Sequence, residues 1–376
     1  MSARAEIVVD LAAIRHNVRL LKELTGTQMM TVVKADGYGH GLAESGRAAR
    51  DGGADWLGVA TIDEAVALRA AGDTGRVLCW LTVPGDDWGA AIERDVDVTA
   101  YSVDELDAIA GTGRRARVQL KVDTGLNRGG ASLRDWADVV ARARQGEDDQ
   151  SWTITGIWSH FSSSDEPGDP ANDAQEAAFQ DALDLARGAG LEPEVTHLAN
   201  SAAAILRPSS RRDLVRVGIA SYGLDPAPGV TGDIGLRPAM TARANLAMVK
   251  HVDVGDAVSY GRTWVADHPT TLGLVPAGYG DGLPRVGGNR AEVQVGGRRR
   301  RLRGRICMDQ LVVDLDGDDP GAGAEVTLFG TGDDGEPTAQ DWAEACGTIS
   351  YEIVTRIGGR FTRRYVDSEA RETIGS

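Results

Sequence analysis

Between Met29 and Val217 the sequence holds eight short apolar runs, each but the last followed by a turn and a helical periodicity. The runs are Met29–Val33, Trp56–Val59, Val77–Leu81, Val96–Ala100, Val118–Val122, Ile154–Trp158, Val195–Leu198 and Leu214–Val217. Helical patterns lie between them at Leu42–Arg50, Ile62–Ala71, Trp88–Arg94, Val103–Ala110, Leu133–Arg144 and Asp173–Ala189, with a further one at Ser201–Arg207. Eight strands alternating with helices in about 220 residues close most naturally into a (β/α)8 barrel, an α/β fold. An open doubly wound sheet is the competing arrangement, but no G-x-G-x-x-G follows the first run.

Past Pro226 the helical patterns nearly vanish. Short strands separated by glycine turns take over: Ala244–Val249, Ala257–Tyr260, Thr271–Val275, Ala291–Val295, Ile306–Val313 and Glu325–Leu328, with one late helix at Ala339–Cys346. The organisation expected is a barrel over residues 1–230 and a β-rich C-terminal domain over 231–376. Ala5–Val9 is a short alternating strand ahead of the barrel, followed by Asp10 as N-cap and Leu11, Ile14, Val18 and Leu21 at helical spacing. Residues 1–10 are free to pair into the second domain.

A formal charge of −16 argues against nucleic-acid and anionic-membrane partners, both of which need a positive field. The basic run Arg298–Arg305 has no aromatic interleaving and reads as a solvated strand region. Cys79, Cys307 and Cys346 are widely spaced with no C-x-x-C, which leaves no disulfide framework or common zinc pattern; no metal is expected. The first ten residues contain no apolar leader, and no run approaches the length of a membrane span. A cytoplasmic enzyme is expected.

The first barrel run stops at Lys34, in Val32-Val33-Lys34-Ala35-Asp36-Gly37-Tyr38-Gly39-His40-Gly41. A lysine at the mouth of a buried strand has a partly desolvated amine, the setting of a Schiff-base lysine; a salt-bridged structural role is the alternative. Only Lys22, Lys34, Lys121 and Lys250 occur in a chain that otherwise writes its positive charge as arginine, and arginine could form no imine. In a barrel the residues just past the strands' C-terminal ends share one face, where the active site lies. Lys34, the stretch Lys121–Arg128, His160, His197–Ser201 and Arg216–Ile219 therefore converge. Ser201 opening a helix and free N–H groups at Gly218 and Ile219 suit a phosphate, and a phosphate site opposite a strand-end lysine suggests pyridoxal phosphate. Taken singly, His160 reads equally as a satisfied core histidine, Ser201 as an ordinary N-cap and Arg216 as an ion-pair partner. Their convergence favours a site.

These residues resemble the barrel-type pyridoxal phosphate enzymes of the bacterial alanine racemase family. Val32–Gly41 looks like that family's cofactor-lysine signature. Lys121–Arg128, His197–Ala202, Arg216–Gly223, Val258–Trp264, Gly278–Arg285, Arg305–Gln310 and Ile349–Ile357 follow in the family's order. The resemblance implies racemisation of alanine by two bases, with D-alanine supplied to peptidoglycan and homodimers sharing their active sites. Lys34 would hold the cofactor and handle the α-proton of the D-enantiomer; Tyr260 would be the opposing base. Arg216 would donate to the pyridine nitrogen, and Arg128 would bind the cofactor's phenolic oxygen and the substrate carboxylate. Tyr38, Ser201, Gly218, Ile219 and Tyr351, with Asn200 beside them, would hold the phosphate. His160 would lie by the ring, and Met308 and Asp309 would line the substrate pocket from the partner subunit. Lys121 matches a lysine that can be carbamylated.

The chain departs from the signature at Gly37, at Gly129 and in the loop Ser162–Glu166. Two rivals share the architecture: a racemase of broader range, and a diamino-acid decarboxylase. The decarboxylase is expected to carry an acid at the pyridine nitrogen and a catalytic cysteine in the second domain; Arg216 argues against it, Cys307 does not. A non-catalytic cofactor carrier would lack the β domain altogether.

Overall fold

Apolar strands buried on both faces, each followed by a helix, give the chain its larger part. The computed structural model describes residues 4–368. Eight parallel strands lie in the order Val195–His197, Trp152–Trp158, Ala116–Lys121, Asp97–Ala100, Arg76–Cys79, Trp56–Val59, Gln28–Val32 and Leu214–Val217. The two outer strands meet through Asp213 N–H to Thr196 O at 3.2 Å and Arg216 N–H to Ala199 O at 3.0 Å, which closes the barrel. Val, Leu and Ile fill the strands; Val59, Val98, Leu120, Ile157 and Val217 are fully buried or nearly so. The helices between them start where short polar side chains satisfy their first N–H groups. Thr61 and Glu64 form a capping box, Asp87 and Ser102 accept from the third residue of their helices, and Asn200 accepts from Ala203.

The chain divides into two units: one of residues 14–37 and 41–236, the barrel, and one of 1–13, 38–40 and 237–376. In the second, Ala5–Asp10 pairs antiparallel with Met240–Asn245 and parallel with Thr362–Val366. This is part of a six-stranded sheet that continues through Glu325–Phe329, Glu292–Val295 and Arg298–Arg301. Met248–Val252, Thr270–Val275 and Leu311–Asp314 form a three-stranded sheet, and Ala257–Val258 with Trp264–Val265 a small ribbon. Trp342, from helix Ala339–Cys346, is fully buried and donates its indole N–H to Leu328 O at 2.6 Å. Among the described residues no helix is long and apolar enough to cross a membrane.

Sequence and structure part company mostly in this second unit. The run Ala244–Val249 is two strands in different sheets. Leu246 N–H bonds Ala324 O and Ala247 N–H bonds Leu274 O, so the backbone changes partner between them. The run Ala257–Tyr260 ends at Val258, because Ser259 adopts φ 63° and Tyr260 opens a 3-10 turn. Of Ile306–Val313 only the end is strand; Cys307 N–H bonds Gln310 O and makes a turn. Helix Ser350–Arg356 and strand Thr362–Val366 have no counterpart in the sequence reading. Arg298–Arg301 is a strand whose arginines pair with Asp318, Asp341 and Glu292, as suits a solvated face.

Candidate functional site

Lys34 follows the first barrel strand and begins an unusual turn. Ala35, Asp36, Gly37 and Tyr38 all have φ between 52° and 62°, one turn of left-handed helix where the sequence suggested only a glycine turn. Each non-glycine residue there costs about 1–2 kcal/mol. The turn is held by Gly37 N–H to Val33 O at 2.8 Å, Ala35 N–H to Glu64 Oε1 at 2.7 Å and Leu42 N–H to Asp36 Oδ1 at 2.9 Å. At Gly37 a Cβ would lie 2.8 Å from Ser45 Oγ, so the glycine that departs from the family signature has a local packing reason. The Lys34 ammonium lies 5.7 Å from the centre of the Trp80 ring and forms no ion pair among the described residues. Burial, and then the charges of Arg128 and Arg216, push its pKa down; Glu64 opposes them.

Arg216, on the last barrel strand, is buried without a carboxylate partner among the described residues. Its Nη1 donates to His197 Nδ1 at 2.9 Å, and Nη2 to Ser159 O at 2.7 Å, Leu198 O at 2.9 Å and His160 Nδ1 at 3.1 Å. These bonds leave from the two terminal nitrogens, so Nε keeps its N–H for a ligand. Burial lowers the guanidinium pKa to about 9. Since arginine only donates, both histidines present Nδ1 as a lone pair and carry their proton on Nε2. Burial, with Arg216 beside them, holds both well below the usual histidine range, and His160 also feels Arg128, Lys121 and Lys34. His197 stacks on Trp158, ring centres 5.6 Å apart and 7° from parallel.

Lys121 ends the fifth strand 4.7 Å from the centre of Trp158 and 5.1 Å from that of Tyr101. Burial, then Arg216 and Arg128, bring it to about 8. A Cβ at Gly129 would stand 3.6 Å from its Nζ, so this glycine widens the space around the amine. The loop after the strand is drawn around Asp123, whose carboxylate accepts from Gly125, Asn127 and Arg128 N–H groups at 2.9–3.2 Å. That loop presents Arg128, exposed, to the same cation cluster.

Ser201 opens helix Ser201–Leu206, and its Oγ accepts Gly218 N–H at 2.9 Å. The expected free N–H at Gly218 is therefore not free. Accepting this bond leaves the Ser201 hydroxyl its own proton to donate, and Ile219 begins the 3-10 turn that follows. Asn200 caps the helix and also accepts Ser164 Oγ–H at 2.8 Å. The unusual loop Ser162–Glu166 is tied down: Gln175 accepts Ser162 N–H at 2.9 Å, and Asn172 donates to Ser163 O at 3.1 Å and Glu166 O at 2.9 Å.

The remaining candidates lie in the second unit. Tyr38 is buried with its ring 6.3 Å from that of Tyr351, and burial, with Tyr351 beside it, raises its pKa, so it is a neutral O–H donor. Tyr260 is 70% exposed and Met308 54% exposed. Ser259, just before Tyr260, fixes the turn by donating to Arg305 O at 2.6 Å. Asp309 pairs with Arg360 at 2.6 Å, and Arg360 also forks onto Asp281 with two contacts of 2.7 Å. One oxygen of Asp309 is thus engaged by Arg360, which also donates to Met308 O at 3.4 Å.

Lys34, Lys121, Arg128, His160 and Arg216 make one basic cluster in the barrel unit. The sequence reading missed Trp80, Trp158, Tyr101 and Gln119, which floor and brace it. A strand-end aromatic is the signal that could have marked the first three; nothing local marks Gln119. Such a cluster favours an anion. Its unpaired, readily deprotonated amine can condense with a carbonyl, and the barrel-unit donors Ser201 Oγ and Arg216 Nε suit a phosphate oxygen and a ring nitrogen.

Residues 9–226 match the family described as "Alanine racemase, N-terminal domain", and residues 239–365 "Alanine racemase, C-terminal domain". The chain is 52% identical to an alanine racemase of Thermobifida fusca over 97% of this chain and 99% of that one. It resembles the crystal structure of alanine racemase from a D-cycloserine-producing Streptomyces lavendulae with TM-score 0.95 and 49% identity, covering 97% and 98% of the two chains. It also resembles an alanine racemase of Bacillus anthracis with bound L-Ala-P, at TM-score 0.90 and 31% identity over 97% and 96%.

Proposed function

The chain belongs to the alanine racemase family and interconverts L- and D-alanine, and from that premise we propose that it works on pyridoxal 5'-phosphate with active sites shared between two copies. The observation that carries the reading is Arg216: a buried cation with no carboxylate partner among the described residues, its plane fixed by contacts from Nη1 and Nη2 to four acceptors, and its Nε N–H in none of them. The donor set fits the cofactor. Lys34 would hold it covalently, Ser201, Tyr38, Tyr351 and the Ile219 backbone N–H would hold its phosphate, with Gly218 and Asn200 bracing Ser201, and Arg216 would meet the ring nitrogen. When bound, the cofactor supplies a carbonyl for the amine of alanine and a ring that accepts the electron pair left by the departing α-proton.

Racemisation requires a proton to leave one face of the α-carbon and arrive on the other. Lys34, with its lowered pKa, is suited to take and return it on one face, and Tyr260 on the other. Arg128 would grip the carboxylate. Arg216 does not surrender its proton readily, so the ring stays a moderate electron sink, which limits side reactions. An acid at this position would strengthen that sink and suit the decarboxylase reading; arginine favours the racemase. His160 would steady the ring's surroundings and bond towards Tyr260, and Met308 and Asp309 would wall the pocket from the partner. We place the reaction in the cytoplasm, where the three free cysteines are at home, and assign its D-alanine to peptidoglycan.

The experiment is direct. The purified protein is examined for an absorption band of a lysine-bound cofactor, and L-alanine is added while optical rotation is followed. Decay of rotation to zero is expected. Carbon dioxide release, or rotation that never changes, would overturn the reading.

A further inference from the structure

Gln119 is a polar residue with no exposed surface on the barrel strand Ala116–Lys121. The neighbouring strand makes room for it. Val118 pairs with Ile154 but Gln119 with Gly156, so Thr155 is an extra residue and the strand bulges there. Bulges beside active sites re-aim side chains. A Cβ at Gly156 would lie 2.7 Å from the Gln119 amide, so the glycine gives the space the amide uses.

The Gln119 Oε1 lies 2.7 Å from His197 Nε2, and His197 Nδ1 lies 2.9 Å from Arg216 Nη1. Arginine can only donate, so Nδ1 is the acceptor and the neutral ring's proton sits on Nε2, pointing at the amide oxygen. The amide's other end, Nε2, is buried with no hydrogen-bond partner among the described residues. An apolar residue of the same length would avoid that unmet donor. What it could not do is accept the His197 proton.

We propose that Gln119 is a positioning residue for racemisation: its amide oxygen locks His197 as the Nε2–H tautomer, and the lone pair this leaves on Nδ1 orients the Arg216 guanidinium towards the cofactor ring. The proposal rests on the reading of Arg216 given above. The stacked Trp158 holds the imidazole plane, and the amide fixes which nitrogen carries the proton. Arg216 is thereby ordered by a neutral acceptor and keeps its full charge for the ligand.

The test uses the holoenzyme labelled with 15N-histidine, with His197 assigned through His197→Asn. In the wild type, His197 should be Nε2-protonated and should not titrate between about pH 6 and pH 9. In Gln119→Met the Nε2 proton should move upfield and exchange faster, the cofactor's absorption maximum should shift, and kcat/KM should fall about 10-fold, mostly in kcat. Gln119→Glu restores an acceptor and should return kcat/KM to within about threefold of wild type. A wild-type His197 protonated on Nδ1 overturns the proposal whatever the variants do, including one that fails to fold. So does a folded Gln119→Met with altered Nε2–H but unchanged kcat/KM and spectrum, or a folded Gln119→Glu that recovers nothing. Failure of the underlying site reading shows itself separately, as wild-type protein without cofactor band or racemisation, and it overturns the functional half of the proposal with it.

Discussion

Lys121 and Arg216 are cations held in the protein without an ion pair among the described residues, and that has a measurable consequence. Lys121 titrates near about 8 in the folded chain against 10.5 for a free lysine. Between those values the unfolded chain holds the proton and the folded chain does not, so stability rises with pH across that window. Subtracting the denaturation free energy of Lys121→Met from that of the wild type, both free of cofactor, isolates this group. The difference should grow in the wild type's favour by on the order of 2 kcal/mol from about pH 7.5 to about pH 9.5. A flat or falling difference would mean that Lys121 already carries a counter-charge, as a carbamate would provide, and mass measurement of the intact chain would show it. At Lys34 the expectation is chemical. Borohydride reduction and peptide mapping should place the cofactor on Lys34 alone, and Lys34→Ala should abolish the covalent adduct. A label on Lys121 or Lys250 would sink the assignment. The charged members of this cluster were legible in the sequence, because strand ends in a barrel share a face. Gln119 was not, because its meaning depends on His197, 78 residues away.

At the scale of elements, the eight barrel strands were legible to within a few residues, since each is a compact apolar run bounded by turns and paired with a neighbour that the chain reaches next. The second unit was harder for a physical reason. Its strands pair across long separations, as Ala5–Asp10 does with Thr362–Val366, and a strand can change sheets at Leu246–Ala247 with no change in hydrophobic pattern. The left-handed turn after Lys34 could not be read at all: Ala, Asp and Tyr rarely adopt that conformation, and only the surrounding contacts impose it. That strain is open to measurement at Ala35, which sits at φ 53° with its side chain exposed. Glycine there removes about 1–2 kcal/mol of steric cost. It also loosens the unfolded chain by about 0.4–1 kcal/mol. Ala35→Gly should therefore stabilise the protein by roughly 0.5–1 kcal/mol in denaturant unfolding. The opposite is expected at Gly39, where φ is 81° and a Cβ would stand 2.1 Å from Val354 O. Gly39→Ala should cost about 3 kcal/mol or more, through backbone strain and a clash with a carbonyl that cannot easily move. If Ala35→Gly destabilises while Gly39→Ala is neutral, the turn is not held as described.

For the whole molecule, the question is what covers Tyr260. A residue that moves a proton to and from a carbon needs water kept away and its hydroxyl held in place, yet Tyr260 is 70% exposed and Met308 54% exposed in a single chain. Ile349, Val286, Val265 and Tyr279 are likewise exposed in the same unit, between 41% and 59%. Isolated exposed apolar residues are ordinary, but a proposed base among them calls for a cover. A second copy of the chain would supply one by symmetry, since in the proposed two-fold pair each site would receive the Tyr260 of its partner. Alanine offers little to grip, so a pocket that rejects larger amino acids must rely on walls, and the partner's Met308 is suited to be one. Mixing inactive Lys34→Ala with inactive Tyr260→Phe tests this. A hybrid pair holds one site with both defects and one with neither, so it should recover towards about half the activity of a wild-type pair. Tyr260→Phe is first shown to be inactive with both L- and D-alanine, and hybrid formation is confirmed by native mass spectrometry. If hybrids form from well-folded parents and regain nothing, Tyr260 serves the chain that carries it, and the shared site is wrong.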